Sequence, residues 1–279
     1  MDSVPTEHPV ESRFPLQTIE AGDRRFSYRE SGSGPAMVVL HGIGSGSGSW
    51  LGQLEGLSSD YRIIAWDAPG YGETTPVDNP SPIPAEYAAV LEDMLAALNV
   101  EPAVLIGHSL GALTAGSYAS THSELPMLVI ADPANGYGAM DEETRASKRD
   151  PRIAAMRELG PRGLAEKRSS ALLSAHASED ARNLVRWNMS QLNPAGYVQA
   201  AHVLANSHLI GDAPAYAGPV LVLCGSEDTV TPEAVCRPVA DAYPNASYQT
   251  LPGVGHASYV ENGPQFNTAV LDFIAGHHG

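Results

Sequence analysis

A serine in the stretch VLIGHSLGAL (104–113) has the neighbours that a nucleophile needs. Residues 107–111, Gly-His-Ser-Leu-Gly, satisfy the pattern Gly-x-Ser-x-Gly, and the apolar residues around them predict a strand before the pattern and a helix after it. In such a sharp turn the glycines let strand and helix approach closely, while the N-terminus of the helix faces the serine hydroxyl. The alternative is that Ser109 only caps the helix. The strand–turn–helix context favours the nucleophile.

A serine hydroxyl needs a base to take its proton and an acid to orient that base. His256 lies in the Gly-rich segment LPGVGHASYVEN after the last apolar run, where the chain order serine, acid, histidine requires a histidine. Asp228, in GSEDTVTPE, follows a predicted strand at the sheet edge where catalytic groups collect, although it could instead cap the next helix. Asp132, in ADPANG, follows the preceding strand and is an alternative acid.

Two backbone N–H groups are the expected donors to the oxyanion that forms when a serine attacks an acyl group. One belongs to Leu110, next to the nucleophile. The other belongs to Ile43, in the Gly- and Ser-rich segment LHGIGSGSGSW. This segment lacks the glycine patterns of phosphate-binding loops. His41, Gly42 and His108 adjoin these groups and are candidate substrate-binding residues.

Short apolar runs alternate with helical patterns along most of the chain. AMVVL (36–40), AVLIG (103–107) and PVLVLC (219–224) are typical of buried strands, whereas 84–100 has apolar residues at helical spacing. The alternation predicts a mostly parallel sheet with helices on both faces, preceded by an antiparallel pair of strands. Between 136 and 217 the strand-like runs disappear, which predicts an inserted helical cap.

The chain is therefore expected to comprise a flexible arm (1–14), a core in two parts (15–135 and 218–279) and a helical cap (136–217). In the cap, Arg182 and Arg186 could hold a substrate carboxylate, and Trp187 beside them could contact substrate. Two arginines on one helix more often form a solvated face.

Composition and charge exclude several classes of protein. The 279 residues are 43% apolar and 17% charged, as in a globular domain with an extensive core. A net charge of −16 disfavours nucleic acid and anionic membranes as partners. Cys224 and Cys236 have no disulfide-framework or metal-site spacing, so no metal site is predicted. No signal peptide or long apolar run is evident. We expect a cytoplasmic enzyme with a small-molecule substrate, and a homodimer is left open.

Taken in order, LHGIGSGSGSW, IAWDAPGYGET, GHSLGA, GSEDTVTPE and GVGHASYVE make the chain resemble single-cap α/β-hydrolases from about residue 16 to 275. The resemblance implies an eight-stranded, mostly parallel sheet with helices on both faces and an inserted helical cap, and it implies no cofactor. The site residues that it implies are a catalytic triad and two oxyanion-hole donors: Ser109, Asp228 and His256, with the N–H groups of Ile43 and Leu110.

Within that family the sequence is similar to small carboxylesterases, enol-lactonases and meta-cleavage-product C–C hydrolases of aromatic catabolism. It departs from the C–C hydrolases at Ala257, where they commonly carry tryptophan, and by lacking their Pro-Gly in the oxyanion loop. We expect hydrolysis of a small carboxylic ester or lactone through an acyl-enzyme. The alternative enzymatic function is C–C or amide hydrolysis. The alternative non-enzymatic function is that of a ligand-binding receptor on the same fold.

Overall fold

The strands of the computed structural model, which describes residues 4 and 7–277, form a single sheet. In these residues the strands are β1 (Gln17–Ala21), β2 (Arg24–Ser31), β3 (Ala36–Leu40), β4 (Arg62–Trp66), β5 (Pro102–His108), β6 (Leu128–Ala131), β7 (Val220–Gly225) and β8 (Ala246–Leu251). They lie in the order β1-β2-β4-β3-β5-β6-β7-β8. β2 is antiparallel to β1 and β4, and the other neighbours are parallel. The prediction of a mostly parallel, eight-stranded sheet is confirmed.

Helices connect the strands and cover both faces of the sheet. They are α1 (Val10–Arg13), α2 (Leu51–Gly56), α3 (Pro84–Leu98), α4 (Leu110–Thr121), α5 (Glu142–Arg168), α6 (Glu179–Ser190), α7 (Pro194–Asn206), α8 (Leu209–Asp212), α9 (Glu233–Ala242), α10 (Ser258–Glu261) and α11 (Gly263–His277). No helix within residues 4 and 7–277 is both long enough and apolar enough to cross a membrane.

Alternate residues of each central strand enter two separate hydrophobic cores. Val38 packs with residues of α3 and α4 on one face, whereas its neighbour Val39 packs with residues of α2 and α11 on the other. Strands that are apolar at every position suit this arrangement, because both of their faces are buried. The resulting rigid sheet ends at an edge where the loops after β3, β5, β6, β7 and β8 meet.

The cap consists of α5, α6 and α7, which contact one another between β6 and β7. α5 is broken at Gly160, whose φ of 64° and ψ of 179° are not helical. That backbone conformation strongly favours glycine. α8, which follows these helices, packs against α4 and α9 of the core. The cap bounds of 136–217 remain a prediction.

Part of the predicted flexible arm, 1–14, is packed against the cap. The side chain of Val10 in α1 is fully buried and clusters with Leu184 and Trp187 of α6. This packing removes the apolar side chain from water, which favours attachment of this part of the arm to the cap. Residues 1–3, 5 and 6 of the arm lie outside the described residues.

Candidate active site

Ser109 occupies the sharp turn between β5 and α4. Its φ of 53° and ψ of −109° are unusual for a residue other than glycine and mark local backbone strain of the kind found at functional sites. A Cβ atom at Gly107 would collide with the carbonyl group of Gly111, and one at Gly111 would collide with that of Leu40. Glycine at both positions therefore allows α4 to begin directly against the sheet.

The structure brings Ser109, His256 and Asp228 together in one hydrogen-bonded series. The distance from Ser109 Oγ to His256 Nε2 is 3.0 Å, and the distance from His256 Nδ1 to Asp228 Oδ2 is 2.8 Å. All three residues are buried. They come from the loops after β5, β8 and β7, which meet at one edge because these strands are parallel. The arrangement allows the imidazole to accept the serine proton while the carboxylate fixes the imidazole.

Backbone and side-chain donors surround the carboxylate of Asp228. Its Oδ1 accepts the N–H groups of Val230 and Thr231 at 2.7 and 2.9 Å, and its Oδ2 accepts the Thr231 hydroxyl at 2.8 Å. Burial alone would raise the pKa of Asp228, but the hydrogen bond and charge of His256, with the bonds from Thr231, outweigh it and lower that pKa below its usual value. Asp228 is therefore ionised at neutral pH. Thr231 was not among the site residues predicted from the sequence.

Asp132, the alternative acid, makes other contacts. Its Oδ1 accepts the N–H of Gly225 at 2.7 Å, and its Oδ2 lies 2.5 Å from the hydroxyl of Ser258. Complete burial, with the nearby charge of Asp228, raises the pKa of Asp132 well above its usual value. Both carboxylate oxygens of Asp132 are thus engaged by other groups, and the structure places Asp228, not Asp132, on His256.

The two candidate oxyanion donors lie beside Ser109. Leu110 is the first residue of α4, so its N–H has no acceptor within the helix. The loop that carries Ile43 is held by the Tyr71 hydroxyl, which donates to the Ile43 carbonyl at 2.8 Å. Gly42 lies so close to Ser109 that an added Cβ would be 3.2 Å from the serine Cβ. The loop and the helix N-terminus therefore face the same space.

Two further histidines near the site have no place in the hydrogen-bonded series from Ser109 to Asp228. His41 Nδ1 bonds the Gly42 carbonyl at 2.8 Å, and its Nε2 accepts the N–H of Ala68 at 3.1 Å, which fixes the oxyanion loop. His108 donates from Nε2 to the carbonyl of His256 at 2.8 Å. Burial and the adjacent His256 lower the pKa of His108 to about 3, so its ring is neutral. Both residues position the loops of the site.

A cavity of about 690 Å³ lies between this edge of the sheet and the cap, and Ser109, His256 and Ile43 line it. The apolar side chains in its wall include Leu164, Leu172, Val185, Met189, Leu192 and Leu204. Such a wall suits the hydrocarbon part of a small substrate.

The cap residues predicted to contact substrate do not line this cavity. Among the residues that the structure describes, the cavity lining does not include Arg182, Arg186 or Trp187. Arg182 turns instead to the carbonyl of Ala175, and Trp187 packs in the small cluster around Val10.

Four polar residues of the lining come from the cap and were not identified from the sequence. They are Arg152, Lys167, Arg168 and Tyr197. α5 carries basic residues on all its sides, so the sequence offers no signal that separates these three cations from the others.

The family model of the alpha/beta hydrolase fold matches residues 35–263 of this chain. The pimeloyl-[acyl-carrier protein] methyl ester esterase of Xanthomonas axonopodis pv. citri is 29% identical over 250 residues, which cover 88% of this chain and 96% of the esterase. A protein of Stutzerimonas stutzeri, provisionally named carbamate hydrolase RutD, is 26% identical over 88% of this chain and 93% of its own length. The enol-lactonase from Burkholderia xenovorans LB400 has a similar structure, with a TM-score of 0.83, 22% identity and coverage of 93% of this chain and 100% of the lactonase. This chain therefore belongs to the alpha/beta hydrolase fold family, and it is a hydrolase.

Proposed function

We propose that this protein is a cofactor-independent serine hydrolase that cleaves a small carboxylic ester or lactone through an acyl-enzyme. The observation that carries the proposal is the buried hydrogen-bonded series from Ser109 through His256 to Asp228, which opens on a largely apolar cavity. Relatives and structural neighbours that are named as a methyl ester esterase and an enol-lactonase agree with an ester-type substrate.

The reaction begins when Ser109 Oγ attacks the acyl carbon and its proton passes to His256 Nε2. Asp228 stabilises the imidazolium that forms, and the N–H groups of Ile43 and Leu110 donate to the oxyanion. The tetrahedral intermediate collapses, the alkoxide leaves, and His256 returns the proton to it. In a lactone this alcohol stays attached to the acyl group.

Water completes the cycle. His256 removes a proton from a water molecule as the water oxygen attacks the ester carbon of the acyl-enzyme. A second tetrahedral intermediate collapses, the carboxylic acid is released, and Ser109 recovers its proton from His256. The overall reaction consumes one ester and one water and yields one acid and one alcohol.

A substrate panel together with a covalent probe tests the proposal. We expect turnover of p-nitrophenyl butyrate or a small lactone well above that of a carbamate, an amide or a ring-fission dienone. A fluorophosphonate should label Ser109. Ser109→Ala should abolish labelling and lower kcat by about 10⁴-fold or more, because members of a triad act as one unit.

Ser117→Ala is the matched control, since Ser117 is a buried serine of α4 that does not line the cavity. It should keep both labelling and turnover. Labelling at another serine, or a folded Ser109→Ala variant with near-native activity, would contradict the nucleophile. Faster turnover of the dienone by two orders of magnitude or more, about 2.7 kcal/mol, would contradict the ester assignment.

A further inference from the structure

The cavity lining differs in charge from the protein as a whole. The sequence contains 32 Asp and Glu against 16 Lys and Arg. Among the residues that the structure describes, no aspartate or glutamate lines the cavity, whereas Arg152, Lys167 and Arg168 do. An acidic protein thus presents a cationic wall to its own substrate site.

These cations lack the carboxylate partners that other arginines of α5 have. Arg145 and Arg149 pair with Glu142, and Arg149 also pairs with Asp150. In the described part of the chain, no carboxylate oxygen lies within 4.0 Å of a charged nitrogen of the three lining cations. Their charge is therefore available to an anion that enters the cavity.

Tyr197 adds a hydroxyl group to the cavity lining that contains the cations. Tyr197 is buried in α7 and lines the cavity. Burial raises the pKa of Tyr197, and the positive charges of Arg152 and Arg168 act against that rise. The hydroxyl makes no hydrogen bond to another described residue. It is therefore available as a donor to a ligand in the cavity that Arg152 and Arg168 also line.

The cavity opens to solvent where its lining residues are exposed. These residues include Met140 and Val230, which are 48% and 42% exposed. Lys167 and Arg168 are exposed as well, whereas Arg152 is half-buried and Ser109 is buried. Apolar side chains such as Leu164 complete the wall. A substrate with a reactive end at Ser109, a hydrocarbon middle and an anionic far end matches this gradient.

We infer that Arg152, Lys167, Arg168 and the Tyr197 hydroxyl bind a carboxylate at the far end of the acyl chain, so that the preferred substrate is a monoester of a dicarboxylic acid. The inference rests on the proposed ester hydrolysis. Guanidinium groups suit it because they form paired, charge-assisted hydrogen bonds to carboxylates. A carboxylate on the acyl side stays bound through both acylation and deacylation.

Matched pairs of esters test this assignment. The p-nitrophenyl monoesters of glutaric, adipic and suberic acid are compared with the neutral pentanoate, hexanoate and octanoate of the same chain length. For at least one length we expect the carboxylate ester to have a kcat/KM about 10-fold higher, mainly through KM, and about 0.5 M NaCl should reduce this preference because the cations are partly exposed. The acyl chain length that gives the largest preference indicates the distance between Ser109 and the cations.

Charge-removing variants identify the residues responsible. Arg152→Gln and Arg168→Gln should each lower the preference about 2- to 5-fold, the range expected for a partly exposed ion pair. Arg152→Lys should retain part of it. Arg182→Gln, which removes the same charge from a cap arginine outside the cavity lining, should leave the preference unchanged. Circular dichroism confirms that each variant is folded.

The outcomes separate this inference from the proposed function. Hydrolysis of the neutral esters with no preference for the carboxylate at any length, or a preference that survives both Arg152→Gln and Arg168→Gln, would overturn the carboxylate site alone. If no ester is hydrolysed, the serine esterase proposal fails. Calorimetric titration with adipate then decides the inference: binding weakened about 2-fold or more by Arg152→Gln supports it, and binding that is absent or unchanged refutes it.

Discussion

Asp228→Asn tests which carboxyl group orients the imidazole of His256. Asp228 Oδ1 accepts the N–H groups of Val230 and Thr231, while Oδ2 accepts the Nδ1–H of His256. An asparagine has nearly the same shape but only one oxygen. Because the two backbone N–H groups need an acceptor, the oxygen takes the Oδ1 position and the NH₂ group faces His256 Nδ1. The imidazole proton then moves to Nε2, which donates towards Ser109 and cannot take its proton.

The size of the effect follows from that tautomer. Loss of the correct tautomer in a serine triad lowers kcat by about 10⁴-fold, which corresponds to about 5.5 kcal/mol of transition-state stabilisation. We expect a loss of this order in Asp228→Asn. The fold should be retained, since the backbone donors keep their acceptor and the side-chain volume hardly changes.

Asp132→Asn is the matched control, one strand away. An asparagine keeps a partner for both contacts of Asp132: its oxygen can accept the N–H of Gly225, and its NH₂ can donate to the hydroxyl oxygen of Ser258, which donates to Asp132 in the original protein. The positive φ of 44° at Asp132 is also one that asparagine tolerates. We therefore expect activity within about 5-fold of the original enzyme, since neither Gly225 nor Ser258 is left as a buried polar group without a partner.

The assay is the initial rate of p-nitrophenyl butyrate hydrolysis, with kcat and KM separated, alongside urea unfolding of each variant. A folded Asp228→Asn enzyme that keeps more than a tenth of the activity would refute the tautomer argument. A larger loss in Asp132→Asn than in Asp228→Asn would move the orienting acid to the loop after β6.

Three further changes test the surroundings of the site and the packing of the arm. Thr231→Val removes a hydroxyl that donates to Asp228; we expect kcat about 10-fold lower and the acid limb of the pH–rate profile at higher pH, since hydrogen bonds to charged groups contribute about 1.5–3 kcal/mol. The pKa of His108 is near 6.5 in the unfolded chain but about 3 in the folded protein. Between these values only the unfolded state binds a proton, so the free energy of unfolding decreases as pH falls from about 6.5 to 3. Between about pH 7 and 5 the original protein should lose about 2 kcal/mol more unfolding free energy than His108→Gln, and equal losses would contradict the buried neutral ring. Val10→Ala should lower the unfolding free energy by about 1–2 kcal/mol, for two buried methyl groups, and an unchanged urea midpoint would show that the arm does not pack on α6.

Much of the sheet and of the reacting centre could be predicted because the signals are local. A buried parallel strand needs apolar side chains on both faces, so runs such as AMVVL are readable without knowledge of their neighbours. The turn at Ser109 needs glycines within two residues, since larger side chains would collide with the adjacent backbone. In both cases the constraint and the residues that meet it lie in the same short segment.

The choice between Asp228 and Asp132 could not be made locally, because both follow neighbouring parallel strands and end at the same edge. The structure separates them through distant partners: Asp228 meets His256, while Asp132 is occupied by Gly225 and Ser258. Which carboxyl group bonds the imidazole depends on these contacts and not on the sequence around either aspartate.

The lining of the cap was also hidden, because the face that a helix presents depends on packing. Gly160 interrupts α5 with non-helical angles, so the helical phase of the residues before it does not continue into those after it. A periodicity drawn through the whole of α5 therefore cannot predict that Arg152 and Arg168 share one cavity. The arginines of α6 have regular helical spacing and were easier to notice, yet they lie outside the lining.

The segment that follows α5 ties the cap to the histidine loop. The carboxylate of Glu261 accepts the N–H of Ser174 at 2.9 Å and that of Gly255 at 3.0 Å, and it also accepts the Ser174 hydroxyl. The N–H of Ala257 donates to the Leu172 carbonyl at 2.7 Å. These bonds hold the residues on both sides of His256 to the end of the helix that carries the lining cations. The position of His256 therefore depends on the segment that follows α5 as well as on the loop after β8.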